Sequence, residues 1–382
     1  MNCNICDQKL KFILEPHKNK IGISSESKFL EVKLSKLFLC KKCYYFQKKT
    51  HQKKKNFYSK YYNLLMKNFY QDQILFVGKK KTFRAEIQRD IIVSNLKKNE
   101  KKILEVGCGK GLTAFKIKKE KNIKIDLVDE GKEKYIFFWN RYLKGSKMMK
   151  NISMVKKNNY SLAYSFFVLE HVQNPYLFIK KVLNTVEING KAIFFVPDIE
   201  KNIGDLLTVD HLNHFSAFAL ECLALKIHKN FNYDFKVTKN ERLRALNLTI
   251  FKKIKKKNTK KKFNLNKSLI IEKRIKDMWF FNLIDKKKIM PYENVFIWGS
   301  SFYGKLFNLK HPNTIMGVLD SNSHFVGRKF ETLNKKKLTI KPPLSIEMIS
   351  LPIILCMSKE YLSKKIIQKQ YNKKNLNFVN LF

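Results

Sequence analysis

Arginine is scarce in this sequence. Only 7 of its 78 basic residues are arginine, against 31 acidic residues and a formal net charge of +47. A field of that sign attracts polyanions, nucleic acid first among them. Yet arginine is the side chain that grips phosphates and base edges bidentately, and the lysines run from Lys9 to the last residues without gathering in one segment. Such a dispersed surplus, alongside plentiful Asn, Ile and Phe, reads as compositional drift over a solvated surface and points away from a nucleic-acid partner. The stretch Met1–Cys6 has no apolar region, so no signal peptide is expected. No segment reaches the roughly 18 uncharged apolar residues of a spanning helix. The expected location is cytoplasmic, where cysteines stay reduced or hold metal. There is no short tandem repeat. Disorder is excluded as well, because 44% hydrophobic and 13% aromatic residues are too many for a chain that does not fold. Its 382 residues allow two or three domains.

Four of the seven cysteines form two knuckles, Cys3-x2-Cys6 and Cys40-x2-Cys43, with 33 residues between them. Each knuckle offers two thiolates at a spacing that suits tetrahedral zinc. A hairpin or loop between Ile13 and Leu37 is expected to absorb the long separation. A CxxC pair also serves thiol–disulfide chemistry, but two pairs flanking one small module favour a structural Zn(2+) site. Four thiolates leave no open position for a catalytic water.

Between Thr50 and Asn99 the chain is rich in Lys and Tyr, and Ile87, Ile91, Ile92 and Leu96 recur at helical spacing, which predicts connecting helices. Strand-like runs follow at Lys102–Val106, Ile123–Val128, Ser161–Phe167 and Ala192–Val196, with helical stretches between them. That alternation predicts an α/β fold with a doubly wound parallel sheet. Asn174-Pro175 supplies an N-cap and an N1 proline for one helix, and Ser216 a cap for the next. The lysine run Lys252–Lys262 is expected to end a domain. Beyond it come a helix over Leu265–Met290 and a second α/β unit, with strands Val295–Trp298, Thr314–Leu319 and Leu351–Cys356 and a turn at Gly299–Gly304.

Ile103-Leu104-Glu105-Val106-Gly107-Cys108-Gly109-Lys110-Gly111 is an apolar strand entering a GxGxG turn ahead of a helix. Glycines there let backbone amides approach a ligand. Asp129 lies 22 residues after Gly107, where a carboxylate can take ribose hydroxyls; Glu130 is a rival for that role. A loop after the fifth strand, Leu207–Ser216, carries His211 and His214 and should emerge at the carboxyl edge of the sheet. A neutral imidazole there suits general-base work, although either histidine could equally close the loop by hydrogen bonding.

LEVGCGKG, the acid after strand two, YSLAYSFFVLEHVQNP and GKAIFFVPD together resemble class I S-adenosylmethionine-dependent methyltransferases, over roughly Ile91–Lys253. The resemblance implies a Rossmann-like core that binds S-adenosyl-L-methionine. Carried to matching positions, its cofactor residues are Glu105, Gly107, Gly109, Gly111, Asp129 and Ser165. A nicotinamide dehydrogenase would need G-x-G-x-x-G, and Gly111 falls two positions after Gly109. Asn174-Pro175-Tyr176 lacks the second proline of the base-modifying NPPY motif, and no Pro-Cys nucleophile pair is present.

Over nearly its whole length the chain resembles three-domain zinc-containing sugar C-methyltransferases, which act on nucleotide-linked ketosugars. The shared elements are Cys40–Gln47 as CxxCxxxQ, Val209–Ser216 as the histidine loop, and the Gly-turn and acidic elements at Val295–Gly304 and Asp320–Gly327. This implies a zinc-binding module at 1–60, a methyltransferase domain at 61–255 and a C-terminal Rossmann-like domain at 265–382. It also implies a nucleotide-linked sugar as substrate, His211 as general base, and Asp210 or His214 to orient it. The loop departs from the family where Val209 replaces histidine, Asp210 glutamate and His214 tyrosine, and Phe76–Phe83 hardly matches the segment expected there. O- or N-methylation of a glycan is therefore an alternative. A zinc-containing RNA methyltransferase would need lysines clustered at Gly107–Gly111, and a non-catalytic binding protein would not need the intact glycines and Asp129. Gly299-x4-Gly304-Lys305 nearly spells a phosphate loop, but Leu306 lacks its hydroxyl; nucleotide binding near Gly299 and Asp320 and a purely docking role both stay open.

Overall fold

Residues 1–15, 21–52, 57–58, 62, 68–77, 80–98, 100, 102–230, 233–253, 293–323, 325–343, 349–356 and 378–380 are those the computed structural model describes. The chain divides into two units, one of Met1–Lys20 and Glu31–Asn264, the other of Ile21–Leu30 and Leu265–Phe382.

In the first unit each cysteine knuckle is a tight turn, closed by Asp7 N–H donating to the Cys3 carbonyl at 3.0 Å and Tyr44 N–H to that of Cys40 at 2.8 Å. Strands β1 (Lys11–Leu14), β3 (Phe29–Leu39, from Glu31 onward in this unit) and β4 (Phe46–Gln52) carry the chain between and beyond the knuckles, while β2 (Ile21–Ile23) falls in the segment assigned to the second unit. β1 and β4 each pair antiparallel with β3, with Lys11 and Phe46 opposite Leu39 in turn. The long separation of the knuckles is thus taken up by paired strands. Leu37 and Leu39 are buried on one face, as the two-residue period of a strand requires.

Further on, Ile74-Leu75-Phe76-Val77 does not continue a helical pattern. These contiguous β-formers make β5 (Ile74–Val77), which pairs with β6 (Lys80–Phe83) before the helix α1 (Arg84–Asn95) begins. The Asp72 carboxylate accepts from Gln73 N–H at 2.7 Å and Ala85 N–H at 3.0 Å, tying the hairpin to the start of α1. The helical spacing of Ile87, Ile91 and Ile92 belongs to α1, and the hairpin is an addition to the connecting helices expected here.

The core follows as β7 (Lys102–Val106), α2 (Leu112–Glu120), β8 (Lys124–Val128), α3 (Lys132–Tyr142), β9 (Met148–Met149), β10 (Tyr160–Phe166), α4 (Pro175–Thr185), β11 (Val186–Pro197), β12 (Asn213–His214), α5 (Ala217–Asn230), β13 (Tyr233–Asn240) and β14 (Ala245–Lys252). Seven of these strands form one sheet in the order β13-β14-β11-β10-β7-β8-β9. β7 through β11 run parallel within it, and β14 runs against them. Both faces are covered: Leu104, Ala163 and Phe194 join one apolar cluster, Ile103, Tyr164 and Ile193 the other. The Asn174 side chain accepts from Leu177 N–H at 3.0 Å and Ser216 Oγ from Ala219 N–H at 3.1 Å, so both expected caps form. Strand order reverses between β7 and β10, and ligands of open α/β sheets bind in the crevice at such a reversal.

In the second unit, β15 (Val295–Trp298), the helix α6 (Phe302–Lys310), β16 (Ile315–Leu319), β17 (Lys329–Glu331), β18 (Lys337–Lys341), β19 (Ile353–Leu355) and β20 (Phe378–Asn380) build a sheet in the order β17-β18-β16-β15-β19-β20. All pairs but β17–β18 are parallel. Gly299 takes φ +114°, and a Cβ there would stand 2.4 Å from the Cys356 carbonyl oxygen. The Asp320 carboxylate fastens the turn, accepting from Ser300 N–H at 2.8 Å, Ser300 Oγ–H at 2.6 Å and Asn322 N–H at 2.8 Å. The helix expected over Leu265–Met290 and most of the lysine run lie outside the described residues. Among the described residues no helix is long and apolar enough to cross a membrane.

Candidate active site

β7 delivers the chain into the glycine turn with Gly107, Gly109 and Gly111 at φ +74°, +54° and +80°. Added Cβ atoms would stand 2.1 Å from Val168 at Gly107 and 2.5 Å from Leu143 at Gly111, so packing alone demands glycine at both. At Gly109 the nearest atom is 4.0 Å away, which leaves that glycine open for close approach. The turn is rigid: Asp129 Oδ2 accepts from Gly109 N–H at 2.8 Å, Asp129 Oδ1 from Gly131 N–H at 2.7 Å, and the Gly109 carbonyl from Trp139 Nε1–H at 2.9 Å. Each Asp129 oxygen keeps a lone pair for a ligand hydroxyl. Burial raises the Asp129 carboxyl against those backbone bonds. Glu130, its rival, is exposed.

Glu105 is buried under the turn with only Tyr164 O–H, at 3.1 Å, as side-chain donor; burial pushes its carboxyl up to about 8. The Ser165 hydroxyl, also buried, has no hydrogen-bond partner among the described residues. An open glycine at a helix start, a carboxylate with free lone pairs and an orphaned hydroxyl fit a ligand with ribose and amino-acid ends. Phe167, just beyond β10, holds φ +57°, a strained value for an aromatic residue, with the Arg84 guanidinium 3.9 Å from its ring centre.

The histidine loop is stitched down on two sides. β12 pairs antiparallel with β4, setting Asn213 opposite Gln47. Lys48 N–H donates to the Leu212 carbonyl at 2.8 Å, and Tyr45 O–H to the Asn213 side chain. On the other side Leu212 and Asn213 N–H both donate to the Glu170 carbonyl, at 2.7 and 3.0 Å.

His211 and His214 share one carboxylate. Asp205 Oδ1 lies 2.6 Å from His211 Nδ1 and Oδ2 lies 2.8 Å from His214 Nδ1. Burial alone would strip the proton from His211, but the Asp205 charge outweighs it and raises the imidazole to about 9. Burial prevails at His214, held down to about 4. Asp205 stays well below the usual carboxylate range, because the two histidines override its own burial. His211 is thus oriented by Asp205, where the sequence pointed to Asp210 or His214. Asp210 instead turns its backbone carbonyl to Tyr58 O–H and His171 Nδ1, each at 3.0 Å, with its Oδ2 3.6 Å from the same nitrogen. His171 stands edge-on to His211, ring centres 4.6 Å apart, and burial lowers it to about 4. Neighbouring Glu170 is buried, raised to about 7 by desolvation, with one carboxylate oxygen unpartnered among the described residues. Asp205, Glu170, His171 and Tyr58 escaped the sequence reading. Glu170 and His171 sit inside the quoted VLEHVQNP motif and carried a signal; Asp205, in the short 3₁₀ helix Ile203–Leu207, carried none.

The four knuckle sulfurs converge, with Cys3–Cys43, Cys6–Cys40, Cys40–Cys43 and Cys6–Cys43 separations of 3.7, 3.4, 3.5 and 3.0 Å. Tetrahedral zinc with Zn–S bonds of about 2.3 Å sets its sulfurs roughly 3.8 Å apart. The cluster needs only slight expansion to reach that. Its donor set, four soft thiolates and no carboxylate, suits zinc.

Residues 79–227 match the sequence model of a family described as a methyltransferase domain. No curated protein matches the chain. Among similar solved structures, the plantazolicin methyltransferase BpumL in complex with SAH shares 16% identity over 44% of this chain and 82% of its own, at a TM-score of 0.37. The 1,6-didemethyltoxoflavin-N1-methyltransferase of Burkholderia thailandensis shares 13% over 44% and 78%, at 0.36. An O-methyltransferase family protein of the same organism shares 10% over 44% and 56%, at 0.35. The middle of the chain is a class I S-adenosylmethionine-dependent methyltransferase domain, and the protein is a methyltransferase.

Proposed function

We propose that the protein methylates a nucleotide-linked sugar or related glycan precursor, with C-methylation of a ketosugar as the leading form. The observation that carries this reading is the Asp205–His211 pair, in the loop tied to the Glu170 carbonyl just beyond β10 at the carboxyl edge of the sheet. S-adenosylmethionine supplies an electrophilic methyl group. The residues of this chain do the rest. Gly107–Gly111, Glu105, Asp129 and Ser165 bind the cofactor, and the buried loop excludes water. In its neutral form, which the Asp205 charge confines to pH values approaching and above about 9, His211 Nε2 removes one proton from the acceptor while Asp205 holds the ring in register, so methyl transfer should rise with pH toward that value. With a 4-ketosugar the ketone acidifies the neighbouring C–H; with a hydroxyl the same base acts on oxygen directly. Val209 and His214, which depart from the sugar C-methyltransferase loop, keep O- or N-methylation as the second reading.

Within the same proposal, Cys3, Cys6, Cys40 and Cys43 hold structural zinc. The chain comprises a zinc module at 1–60, the methyltransferase domain at 61–255 and a Rossmann-like domain at 265–382. An RNA substrate is disfavoured by Lys110, the one lysine within the glycine turn, whose ammonium is turned onto the carbonyls of Asn68 and Gln71.

The test is calorimetric titration of zinc-loaded protein with S-adenosylhomocysteine, alone and beside a panel of nucleotide-linked ketosugars or short RNA. Micromolar cofactor binding that tightens with a sugar nucleotide is the expected result. Binding that tightens with RNA alone overturns the substrate assignment.

A further inference from the structure

The carboxyl edge of the sheet holds a second set of metal-ligating side chains, well apart in chemistry from the cysteine cluster. One donor atom from each of Glu170, His171 and His211 lies within 4.8 Å of the other two. The hydrogen bonds around them fix which nitrogens are available. His211 Nδ1 faces the Asp205 carboxylate at 2.6 Å, and His171 Nδ1 faces the Asp210 carbonyl at 3.0 Å. The Asp205 carboxylate only accepts, so His211 Nδ1 carries a proton and Nε2 is the nitrogen a metal would take by displacing its second proton. The Tyr58 hydroxyl, 2.8 Å from His171 Nδ1, donates to the Asp210 carbonyl at 3.0 Å, so His171 Nδ1–H donates to these oxygens and its Nε2 is left basic. Metal-ligating histidines are held in this way by an outer carboxylate or carbonyl. The third member, Glu170, is 1% exposed and keeps one carboxylate oxygen without a hydrogen-bond partner among the described residues. A buried carboxylate oxygen so placed is costly unless a cation meets it. Asp205 and Asp210, equally buried, add negative charge around the site. Lys48, the buried lysine of the loop's partner strand, has its ammonium on the Thr208 carbonyl.

We propose that Glu170, His171 and His211 form a binding site for one divalent transition-metal ion, held by two imidazoles and a carboxylate with open positions for oxygen atoms of the acceptor. This donor set is that of an open site, unlike the closed four-thiolate cluster. A cation there would lower the pKa of a coordinated hydroxyl, or of the C–H beside a coordinated ketone, so that the acceptor's proton leaves to water or hydroxide and not to His211. The proposal rests on the reading above only for the place of the acceptor. The two uses of His211 Nε2 exclude each other, and the metal content decides between them.

Full-length protein with its cysteine cluster filled with zinc is dialysed against Co(2+), and metals are counted by plasma mass spectrometry with visible spectra recorded alongside. The expected result is one cobalt per chain beyond the zinc, without intense thiolate charge-transfer bands, and none in His171→Ala or Glu170→Gln. S-adenosylhomocysteine titration of each variant reports that the domain remains folded and cofactor-competent. Wild type that takes up no cobalt beyond its cysteine complement overturns the proposal, as does equal uptake by the folded variants. Either result leaves the methyltransferase reading standing, since cofactor binding is measured separately; loss of cofactor binding by folded wild type counts against that reading instead.

Discussion

Glu105 is a carboxyl group that folding prefers to keep neutral. Burial outweighs the Tyr164 hydroxyl and the Ala114 amide and lifts it from an ordinary 4.5 to about 8. Between those values the folded chain holds a proton the unfolded chain has released. The stability linked to this group is therefore fully present below about pH 4.5 and is lost as pH rises through about 8. The loss is on the order of 5 kcal/mol. Glu105→Gln keeps the acceptor for Tyr164 and removes the titration. Thermal melts from pH 5 to 8.5 should show the two proteins close at pH 5 and the variant the more stable at pH 8.5. Parallel curves would mean that the carboxyl is solvated. What was legible at this scale follows from chemistry confined to neighbours in sequence. Gly107 and Gly111 announce themselves because a left-handed turn against Val168 and Leu143 tolerates nothing else. Asp205 does not, because what selects it is a pair of histidines six and nine residues on in an irregular loop, a spacing no periodicity marks.

At the scale of elements, the strands of the core were readable because buried parallel strands are continuous apolar runs bounded by turn residues. The join between β4 and β12 was not, since a two-residue strand has no pattern of its own and its partner lies over 160 residues away. That join gives the cysteine module a role beyond stability. The Cys40–Cys43 knuckle leads directly into β4, whose Gln47 and Lys48 backbone holds Asn213 and Leu212 of the histidine loop. Cys43→Ser should release the zinc proposed for these cysteines and lower the melting temperature. It should also cut kcat by roughly a hundredfold, the scale of loss when a catalytic group is displaced by about 1 Å. Affinity for S-adenosylhomocysteine should hardly change, because the glycine turn hangs on β7. Metal content, melting and single-turnover methyl transfer on one preparation check this. A variant that loses zinc but keeps its kcat would make the module a stabiliser only.

Over the whole molecule, charge is the property the sequence states most loudly and the site uses least. With 31 acidic residues against 78 basic ones, at least 47 basic groups can have no carboxylate of their own. The pairs that do form, such as Lys150–Glu133, Lys226–Asp7 and Lys239–Glu200, are scattered over the first unit. Exposed pairs of this kind are worth about 0–1 kcal/mol each, so they neither organise the fold nor mark a groove. The charge that matters for chemistry is instead local and negative, in the buried carboxylates of Glu170, Asp205 and Asp210. Short RNA should therefore bind only as a counterion sheath. Its affinity should fall steeply between about 50 and 200 mM salt, without sequence preference, while S-adenosylhomocysteine affinity stays constant. Fluorescence anisotropy with two unrelated RNA sequences across that range, beside calorimetry of the cofactor, makes the comparison. A salt-resistant preference for one sequence, coupled to cofactor binding, would turn the dispersed lysines into a reading surface and make RNA the substrate.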